Sequence, residues 1–221
     1  MVRPRFSKLP PEQQQAIVRA AREEFAAHGF HDASLNRVIE AAGISKGSMY
    51  YYFDDKVDLF AHVVRIDLEQ LFDRLGPFPV PDGGSADEFW STLEGYYLRL
   101  MTALTATPDL ATLIRGLLAA STTPVLAQAQ ADLTQALLPW LELAVIRGQR
   151  AGAIRTDLPS ALLIAVVMGM GQAIDVWLMN QQPADADLAG SVGVLFEMIR
   201  GAVAPSKHAA VRKGGAPPPS E

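Results

Sequence analysis

The sequence predicts an all-α protein. Apolar residues recur three and four positions apart in one segment after another, which is the spacing of the buried face of a helix. Proline and glycine stand largely at the boundaries between these segments, where they begin or end helices. The alternation of apolar and polar residues that is typical of strands is absent from the sequence.

The first part of the chain predicts helices that are separated by short turns. One helix begins at Pro11, where proline is favourable, and ends at Gly29, because glycine readily adopts the left-handed conformation of a helix C-terminus. Ser34 is a suitable N-cap for a second helix, Gly43 ends that helix, and Ser45 caps a third. Short helices joined by a glycine-containing turn are typical of a helix-turn-helix.

Helices are also expected along the rest of the chain. Asp54 or Asp55 caps a fourth helix over residues 56–74, and residues 76–85, rich in Pro and Gly, form a linker. Five further helices are expected near residues 86–106, 109–120, 124–152, 158–181 and 185–204. Pro139 lies inside the third of these five, so we expect that helix to be kinked or split.

The composition and the charge distribution limit the possible functions. Because the 221 residues include no cysteine, disulfides, thiolate metal sites and cysteine nucleophiles are excluded. The net charge is −5, but residues 1–66 hold nine Lys and Arg against eight Asp and Glu, whereas residues 67–204 hold seven against fifteen. The N-terminal segment therefore avoids the acidic excess and is suited to an anionic partner. Arg3, Arg5 and Lys8 form either a basic arm or an ordinary solvated terminus.

The third helix has two chemically different faces. Met49 and Phe53 are four residues apart and face the core, whereas Tyr50 and Tyr51 fall outside that face. The tyrosines present hydroxyls to phosphates and rings to thymine methyls, and Gly47 allows a groove to approach the backbone closely. We therefore expect this helix to lie in the major groove of double-stranded DNA.

The expected DNA-binding residues lie in the second and third helices and at the start of the fourth. Those of the third helix contact bases and phosphates, and the others contact phosphates. The full set is Ser34, Asn36, Arg37, Ser45, Lys46, Gly47, Ser48, Tyr50, Tyr51 and Lys56. For Lys56 the alternative is a surface ion pair with Asp54 or Asp55.

Residues 38–53, VIEAAGISKGSMYYYF, resemble the DNA-binding domain of the TetR family of transcriptional repressors. The resemblance extends over Phe25, Gly29, Phe30, Ser34 and Lys56. It implies a dimer, an operator with two half-sites, and a C-terminal domain that often binds a small effector. The rest of the chain resembles the family only in its length and helical character.

These observations lead to a predicted organisation in three parts. An N-terminal three-helix helix-turn-helix DNA-binding domain covers residues 1–55, and a C-terminal helical bundle that dimerises and binds the effector covers residues 56–204. Residues 205–221 form a disordered tail. We expect a repressor that binds a palindromic operator as a dimer and is released by a small, mostly apolar effector.

The candidate effector-binding residues are aromatic and sulfur-containing side chains with a few polar anchors, as in most ligand pockets. They are Phe89, Tyr96, Tyr97, Met101, Arg115, Trp140, Met168, Gln172 and Asp175. The alternative for the apolar members is ordinary core packing. For Arg115 the alternative is a helix-end charge, and for Gln172 and Asp175 it is an interface contact.

The last two helices are expected to form the dimer interface. Gly169, Gly171, Ala173, Gly190, Gly193 and Gly201 permit close helix approach, and the expected apolar contacts are Val166, Val167, Ile174, Leu178, Val192, Leu195, Phe196 and Ile199. Residues 161–179 form the most apolar stretch, which we interpret as a buried helix and not as a membrane span.

Two other classes of function remain open at this point. One is a helical adaptor that binds only protein. The other is an enzyme, but the four histidines show no metal-ligand spacing, and Gly169-Met170-Gly171 lies within a helix. We therefore expect no catalytic activity, no metal and no cofactor. The N-terminus lacks the apolar segment of a signal peptide, so a cytoplasmic protein is expected.

Overall fold

The computed structural model describes residues 4–119, 124–180 and 187–205. These residues form α-helices and one short 3-10 helix, and strands are absent from them, so the all-α prediction is confirmed. The helices are α1 (Pro11–Asp32), α2 (Leu35–Ala41), α3 (Lys46–Tyr52), α4 (Lys56–Leu75), α5 (Ala86–Thr105), α6 (Pro108–Ala119), α7 (Pro124–Arg150), α8 (Ser160–Asn180) and α9 (Leu188–Val203). The 3-10 helix is Phe6–Lys8.

The helix bounds lie within a few residues of the predicted ones, and the structure departs from the predictions at Gly29 and Pro139. Gly29 has the expected positive φ of 67°, but the chain resumes one more helical turn after it and α1 ends at Asp32. The amide of Ala33 then donates to the carbonyl of Gly29, which closes this last turn. Pro139 does not split α7, which runs as one helix from Pro124 to Arg150.

The described residues form two compact units. Unit 1 comprises residues 4–77, 99–119, 124–136 and 178–180, and unit 2 comprises residues 78–98, 137–177 and 187–205. The helix-turn-helix lies wholly in unit 1. The functional division at residue 55 stays a prediction, and residues 206–221 of the predicted tail lie outside the described residues.

Unit 1 has a core that is rich in aromatic side chains. In this unit α1 packs against α2, α4 and α6, and α2 packs against α3. Phe25 and Phe60 meet edge to face at 5.0 Å between ring centroids, and Phe60 also contacts Phe30. Burial of such rings supplies a large apolar contribution to stability. It keeps α1, α4 and the helix-turn-helix in a fixed arrangement.

Two ion pairs whose carboxylates are buried also join the helices of unit 1. The Arg22 guanidinium of α1 donates to both carboxylate oxygens of Asp67 in α4, at 2.7 and 2.5 Å. This hydrogen bond raises the pKa of Arg22. Glu24, which is buried in α1, accepts hydrogen bonds from Arg37 and from the amide of Ser34. Because each pair joins two elements, it fixes their relative positions within the unit.

Unit 2 has its own core, to which α8 and α9 contribute one side each. Phe89, Trp90 and Val145 are buried there together with residues of α8 and α9. Gly148 is required for this packing, because a Cβ at that position would lie 2.6 Å from Ile154 and 2.8 Å from Phe89. The dense core explains why the sequence places a glycine in the last turns of a long helix.

The apolar helix α8 is largely exposed, in contrast to the buried helix that the sequence predicted. Residues 160–178 are long and apolar enough to cross a membrane by length and composition alone, and 22% of this window is buried. Its exposed apolar side chains are Leu162, Val166, Val176 and Trp177. The prediction failed because high hydrophobicity does not distinguish burial within a chain from burial against another molecule.

Candidate nucleic-acid interface

The helix α3 is held at its start by a capping interaction. The Ser45 hydroxyl accepts a hydrogen bond from the Ser48 amide at 3.0 Å, and the two hydroxyls lie 2.8 Å apart. Gly43 precedes the helix with a φ of 64°, a conformation that glycine adopts without steric cost. The capping role and the glycine turn are both as the sequence predicts.

The two faces of α3 are separated as expected. Met49 is 1% exposed and lies in the core of unit 1, next to Phe53 in the loop that follows. Tyr50 and Tyr51, in contrast, are 44% and 46% exposed. Lys46 is exposed as well, so one surface of the helix presents a lysine and two phenols to solvent.

Gly47 has open space around it. A Cβ at this position would meet only the Ser45 hydroxyl, at 3.7 Å, which is an ordinary contact. The φ of Gly47 is not in the positive range either. Internal packing therefore does not explain the glycine, whereas close approach of another molecule to the exposed helix backbone would.

The structure changes the interpretation of Arg37. Its Nε lies 2.8 and 2.9 Å from the two carboxylate oxygens of Glu24, and another guanidinium nitrogen donates to the Asp32 carbonyl. The Arg37 hydrogen bond, aided by the Ser34 amide, lowers the pKa of Glu24. Arg37 thus holds the start of α2 against α1, and any phosphate contact would be additional to this role.

Lys56 also has partners within unit 1. Its ammonium donates to the carbonyls of His31 and Ala33, at 2.8 and 3.1 Å, and lies 5.0 Å from the centre of the Phe30 ring. The alternative of an ion pair with Asp54 or Asp55 stays a prediction. The ammonium satisfies carbonyls at the C-terminal end of α1, where the helix dipole favours a cation.

The predicted residues at the start of α2 and α4 are placed as follows. Ser34 occupies the N-cap position, but its side chain makes no capping hydrogen bond, and its backbone amide donates to Glu24. Asn36 is exposed on α2. Asp55 caps α4 by accepting from the Asp58 amide, and Asp58 accepts in return from the Asp54 amide.

A groove lies beside α3 in unit 1. It has a volume of about 410 Å³ and runs between the start of α1 and the turn before α3. Glu12 and Ala16 line one side, and Gly43, Ser45 and Ser48 line the other. Sequence patterns could not reveal it, because it depends on how α1 and the turn meet.

Sequence reasoning missed the role of the segment before α1. Phe6 is 3% exposed and belongs to the core of unit 1, where its ring lies 5.0 Å from that of Phe53. Arg5 places its guanidinium carbon 4.3 Å from the centre of the Tyr51 ring. The sequence offered one indication of this role, namely a single phenylalanine between the basic residues of Arg5-Phe6-Ser7-Lys8.

The candidate effector residues do not form one group. Tyr96 and Trp140 of unit 2 each contact the Phe78 ring, at 4.9 and 4.7 Å between centroids. Phe89 lies in the core of unit 2, and Met168 packs at its edge. In unit 1, Met101 is buried and Arg115 donates to the Thr112 hydroxyl. Gln172 is exposed on α8.

Tyr97 and Asp175 form a polar pair inside unit 2. The Tyr97 hydroxyl donates to a carboxylate oxygen of Asp175 at 2.6 Å, and the Tyr97 ring lies 5.6 Å from that of Phe196. Burial raises the pKa of both groups, and the nearby carboxylate raises the pKa of Tyr97 further. A partly buried carboxylate of this kind is a candidate anchor for a hydrogen-bond donor.

Within the described residues, groups of three or more His, Asp or Glu side chains suited to a metal ion are absent. The four histidines lack metal-ligand spacing in the sequence as well.

Comparison with known proteins adds independent evidence on the helix-turn-helix. Residues 17–63 match the family model described as "Bacterial regulatory proteins, tetR family". The helix-turn-helix is therefore that of the TetR family in sequence, over the residues that match. The matched residues run from the middle of α1 through α3 into α4, so they include the exposed Lys46, Tyr50 and Tyr51 of α3.

The HTH-type transcriptional repressor AcnR of Corynebacterium glutamicum is 37% identical over 62 residues, which are 28% of this chain. This match spans 33% of the length of AcnR, so its activity is not transferred to the whole chain. FadR of Bacillus subtilis, solved with stearoyl-CoA, has a TM-score of 0.65 and 21% identity, covering 86% of this chain and 98% of FadR.

A further solved structure has the same fold. The SmeT–triclosan complex, of the repressor of a Stenotrophomonas maltophilia efflux pump, has a TM-score of 0.67 and 20% identity, covering 95% of this chain and 99% of SmeT. At such identities the two structural likenesses show the fold of the chain. The TetR-like fold therefore extends beyond the matched N-terminal residues.

Proposed function

We propose that this protein is a transcriptional regulator of the TetR family that binds double-stranded DNA through α3. The observation that carries the proposal is the exposed surface of Lys46, Gly47, Tyr50 and Tyr51, held in place by the buried Met49. A lysine and two phenols can donate to phosphates and bases, and Gly47 lets the groove approach the helix. The adaptor alternative leaves this surface unexplained.

We infer that the protein acts as a dimer on a palindromic operator. Leu162, Val166, Gly169, Ala173 and Trp177 follow one another at helical spacing on α8, and all five are exposed. A similar exposed stripe on α9 consists of Gly190, Val194, Met198 and Gly201. Two such helices from each subunit would form a four-helix interface, with the glycines allowing close approach.

The dimer proposal replaces several of the apolar contacts that the sequence predicted. Val192, Ile174 and Leu178 are buried within the chain, and Phe196 and Ile199 pack on the core of unit 2. The exposed stripes lie on the opposite sides of the same helices. The sequence analysis assigned several core residues to the dimer interface. It did so because both faces of these helices are apolar, and the sequence alone does not show which face is buried within the chain.

We propose further that a small, mostly apolar effector releases the DNA. Unit 2 holds the aromatic cluster of Phe78, Tyr96 and Trp140 and the polar pair of Tyr97 and Asp175. FadR and SmeT were solved in complex with stearoyl-CoA, which carries a long apolar acyl chain, and with triclosan, which is largely apolar. An effector acts only through its different affinity for the DNA-binding and released conformations, typically with about 1–3 kcal/mol of coupling.

The proposal also includes a cytoplasmic location and the absence of catalysis. The exposed apolar α8 is explained by the dimer interface, so no membrane is required. The matched relative AcnR is a transcriptional repressor, which favours regulation over catalysis.

The direct test of the function is DNA binding by fluorescence anisotropy. Duplexes from the protein's own promoter region should bind in a salt-sensitive manner. We expect Lys46→Ala and Tyr50→Ala each to weaken specific binding by about 1–3 kcal/mol, because each removes a direct contact. Arg19→Ala serves as a control, since Arg19 is an exposed cation of α1.

Two outcomes would contradict this function. One is failure of the wild-type protein to bind any duplex more tightly than unrelated DNA. The other is specific binding that neither substitution changes, which would place the interface elsewhere. Apolar compounds added to the bound complex test the effector, and they should lower the anisotropy.

A further inference from the structure

The segment before α1 is fixed to the recognition helix and does not behave as a loose arm. The buried Phe6 ring contacts the rings of Tyr52, Phe53 and His62, with centroids 6.0, 5.0 and 4.9 Å away. The Ser7 hydroxyl donates to the Pro4 carbonyl at 2.8 Å. The backbone around Arg5 is therefore anchored next to α3.

Arg5 uses this anchor to reach the exposed surface of α3. Its guanidinium carbon lies 4.3 Å from the centre of the Tyr51 ring, and both side chains are exposed. A guanidinium stacked on a ring contacts it through its face, whereas its N–H donors lie in the guanidinium plane. A stacked arginine can therefore bind an anion through its edge at the same time.

We propose that Arg5 belongs to the DNA interface and binds a backbone phosphate beside each half-site, with Tyr51 positioning its guanidinium. This inference rests on the proposed DNA-binding function. A phosphate is favoured over a base because Tyr51 lies in the C-terminal half of α3, whereas the N-terminal residues of a recognition helix reach the base edges. A planar guanidinium also matches the geometry of a phosphate.

This assignment gives Tyr51 a second role. Its ring limits the positions that the flexible Arg5 side chain can adopt before DNA arrives, which lowers the entropy lost on binding. Tyr51 is thus a positioning residue for Arg5, in addition to any contact that its own hydroxyl makes. Phe6 contacts Tyr52, whose ring lies 5.6 Å from that of Tyr51, so the core of unit 1 lies directly beside this pair.

The salt dependence of operator affinity tests the proposal. Fluorescence anisotropy with the operator duplex at about 50 to 200 mM salt should give a log–log slope that is smaller by about 0.9 for Arg5→Ala than for the wild type. The affinity itself should fall about three- to tenfold. Lys8→Ala is the matched control, because Lys8 is an exposed cation of the same segment. The operator affinity of this variant should stay within twofold of the wild-type value.

A double-substitution cycle tests the role of Tyr51. Tyr51→Leu should weaken binding in the presence of Arg5 but less in the Arg5→Ala background, with a coupling of about two- to fivefold. Tyr51→Phe keeps the ring and should keep this coupling. Circular dichroism verifies that the variants remain folded, as expected for exposed side chains.

Three results would overturn the inference. In the first, the wild type binds the operator, but Arg5→Ala and Lys8→Ala have the same affinity and the same salt dependence. This result overturns the role of Arg5 and leaves the proposed function intact. In the second, the loss occurs only with A·T-rich flanks, which would place Arg5 in the minor groove and not on a phosphate. In the third, the wild type binds no duplex specifically, so the proposed function fails and the inference fails with it.

Discussion

At the residue scale, several polar side chains of unit 1 have structural roles that their position in the sequence does not reveal. Arg37 and Lys56 fit a DNA-binding pattern by residue type and spacing, yet the structure engages them with Glu24 and with the carbonyls that end α1. These partners are 13 to 25 residues away in the chain. Local patterns cannot predict them, because they depend on tertiary packing.

His62 gives the clearest prediction at this scale. It is buried beside Phe6 and Phe53, its Nδ1 accepts from Arg65 at 2.9 Å, and its Nε2 is buried without a hydrogen-bond partner. Burial and the Arg65 charge lower the pKa of His62 to about 4, against the opposing effect of Asp58. The folded protein therefore favours the neutral ring, and protonation at low pH opposes folding.

The lowered pKa of His62 predicts a loss of stability in acid. Because the unfolded chain binds the proton near the ordinary pKa of 6.5, the contribution is complete above that pH and is lost as the pH falls towards 4. The expected loss is about 2–3 kcal/mol of unfolding free energy. Urea denaturation from pH 7 to 4.5 measures it.

Two substitutions make this measurement specific. His62→Leu should flatten the dependence of stability on pH, whereas His31→Gln should leave it unchanged, since His31 is exposed. Equal slopes for the wild type and His62→Leu would show that His62 does not carry the effect.

At the element scale, the sequence predicts the helices more accurately than it predicts their neighbours. The fifth helix was expected at 86–106 and spans Ala86–Thr105, because proline and glycine mark both of its ends. The contact between α1 and α6 was not predicted, since both helices have apolar stripes that would fit many partners. The candidate effector residues were grouped by residue type, and the structure distributes them over both units because helix neighbours could not be predicted.

The exposed stripe of α9 leads to a prediction about assembly. Val194 and Met198 are 58% and 56% exposed and stand one helical turn apart. A glutamate at either position would bury an unpaired charge in the proposed interface, which should raise the dimer dissociation constant at least about 100-fold. Sedimentation equilibrium of Val194→Glu and Met198→Glu measures this constant.

The control for that experiment lies on α7. Ile146 is 44% exposed and is also apolar, but it is outside the two proposed interface helices, so Ile146→Glu should dimerise normally. A wild-type protein that stays monomeric at micromolar concentration would contradict the dimer, and so would equal dissociation constants for all three variants.

At the scale of the whole molecule, the proposed DNA-binding surface lies in unit 1 and the proposed dimer surface lies in unit 2. The N-terminal resemblance predicted the first of these, and its residues on α3 lie within the matched 17–63 segment. The effector-binding residues were harder to predict than the DNA-binding residues, because a ligand pocket is lined by single side chains from many helices. A two-fold axis would repeat the α3 surface at a spacing of about one DNA turn, ~34 Å, or somewhat more.

Selection of bound fragments from random duplex DNA measures whether α3 recognises a DNA sequence in a dimeric protein. We expect an enriched palindrome whose half-sites are separated by about one helical turn, and we expect Tyr50→Ala to weaken or abolish the enrichment. Recovery of no enriched sequence by the wild-type protein, or of the same sequence at equal strength by Tyr50→Ala, would contradict this proposal.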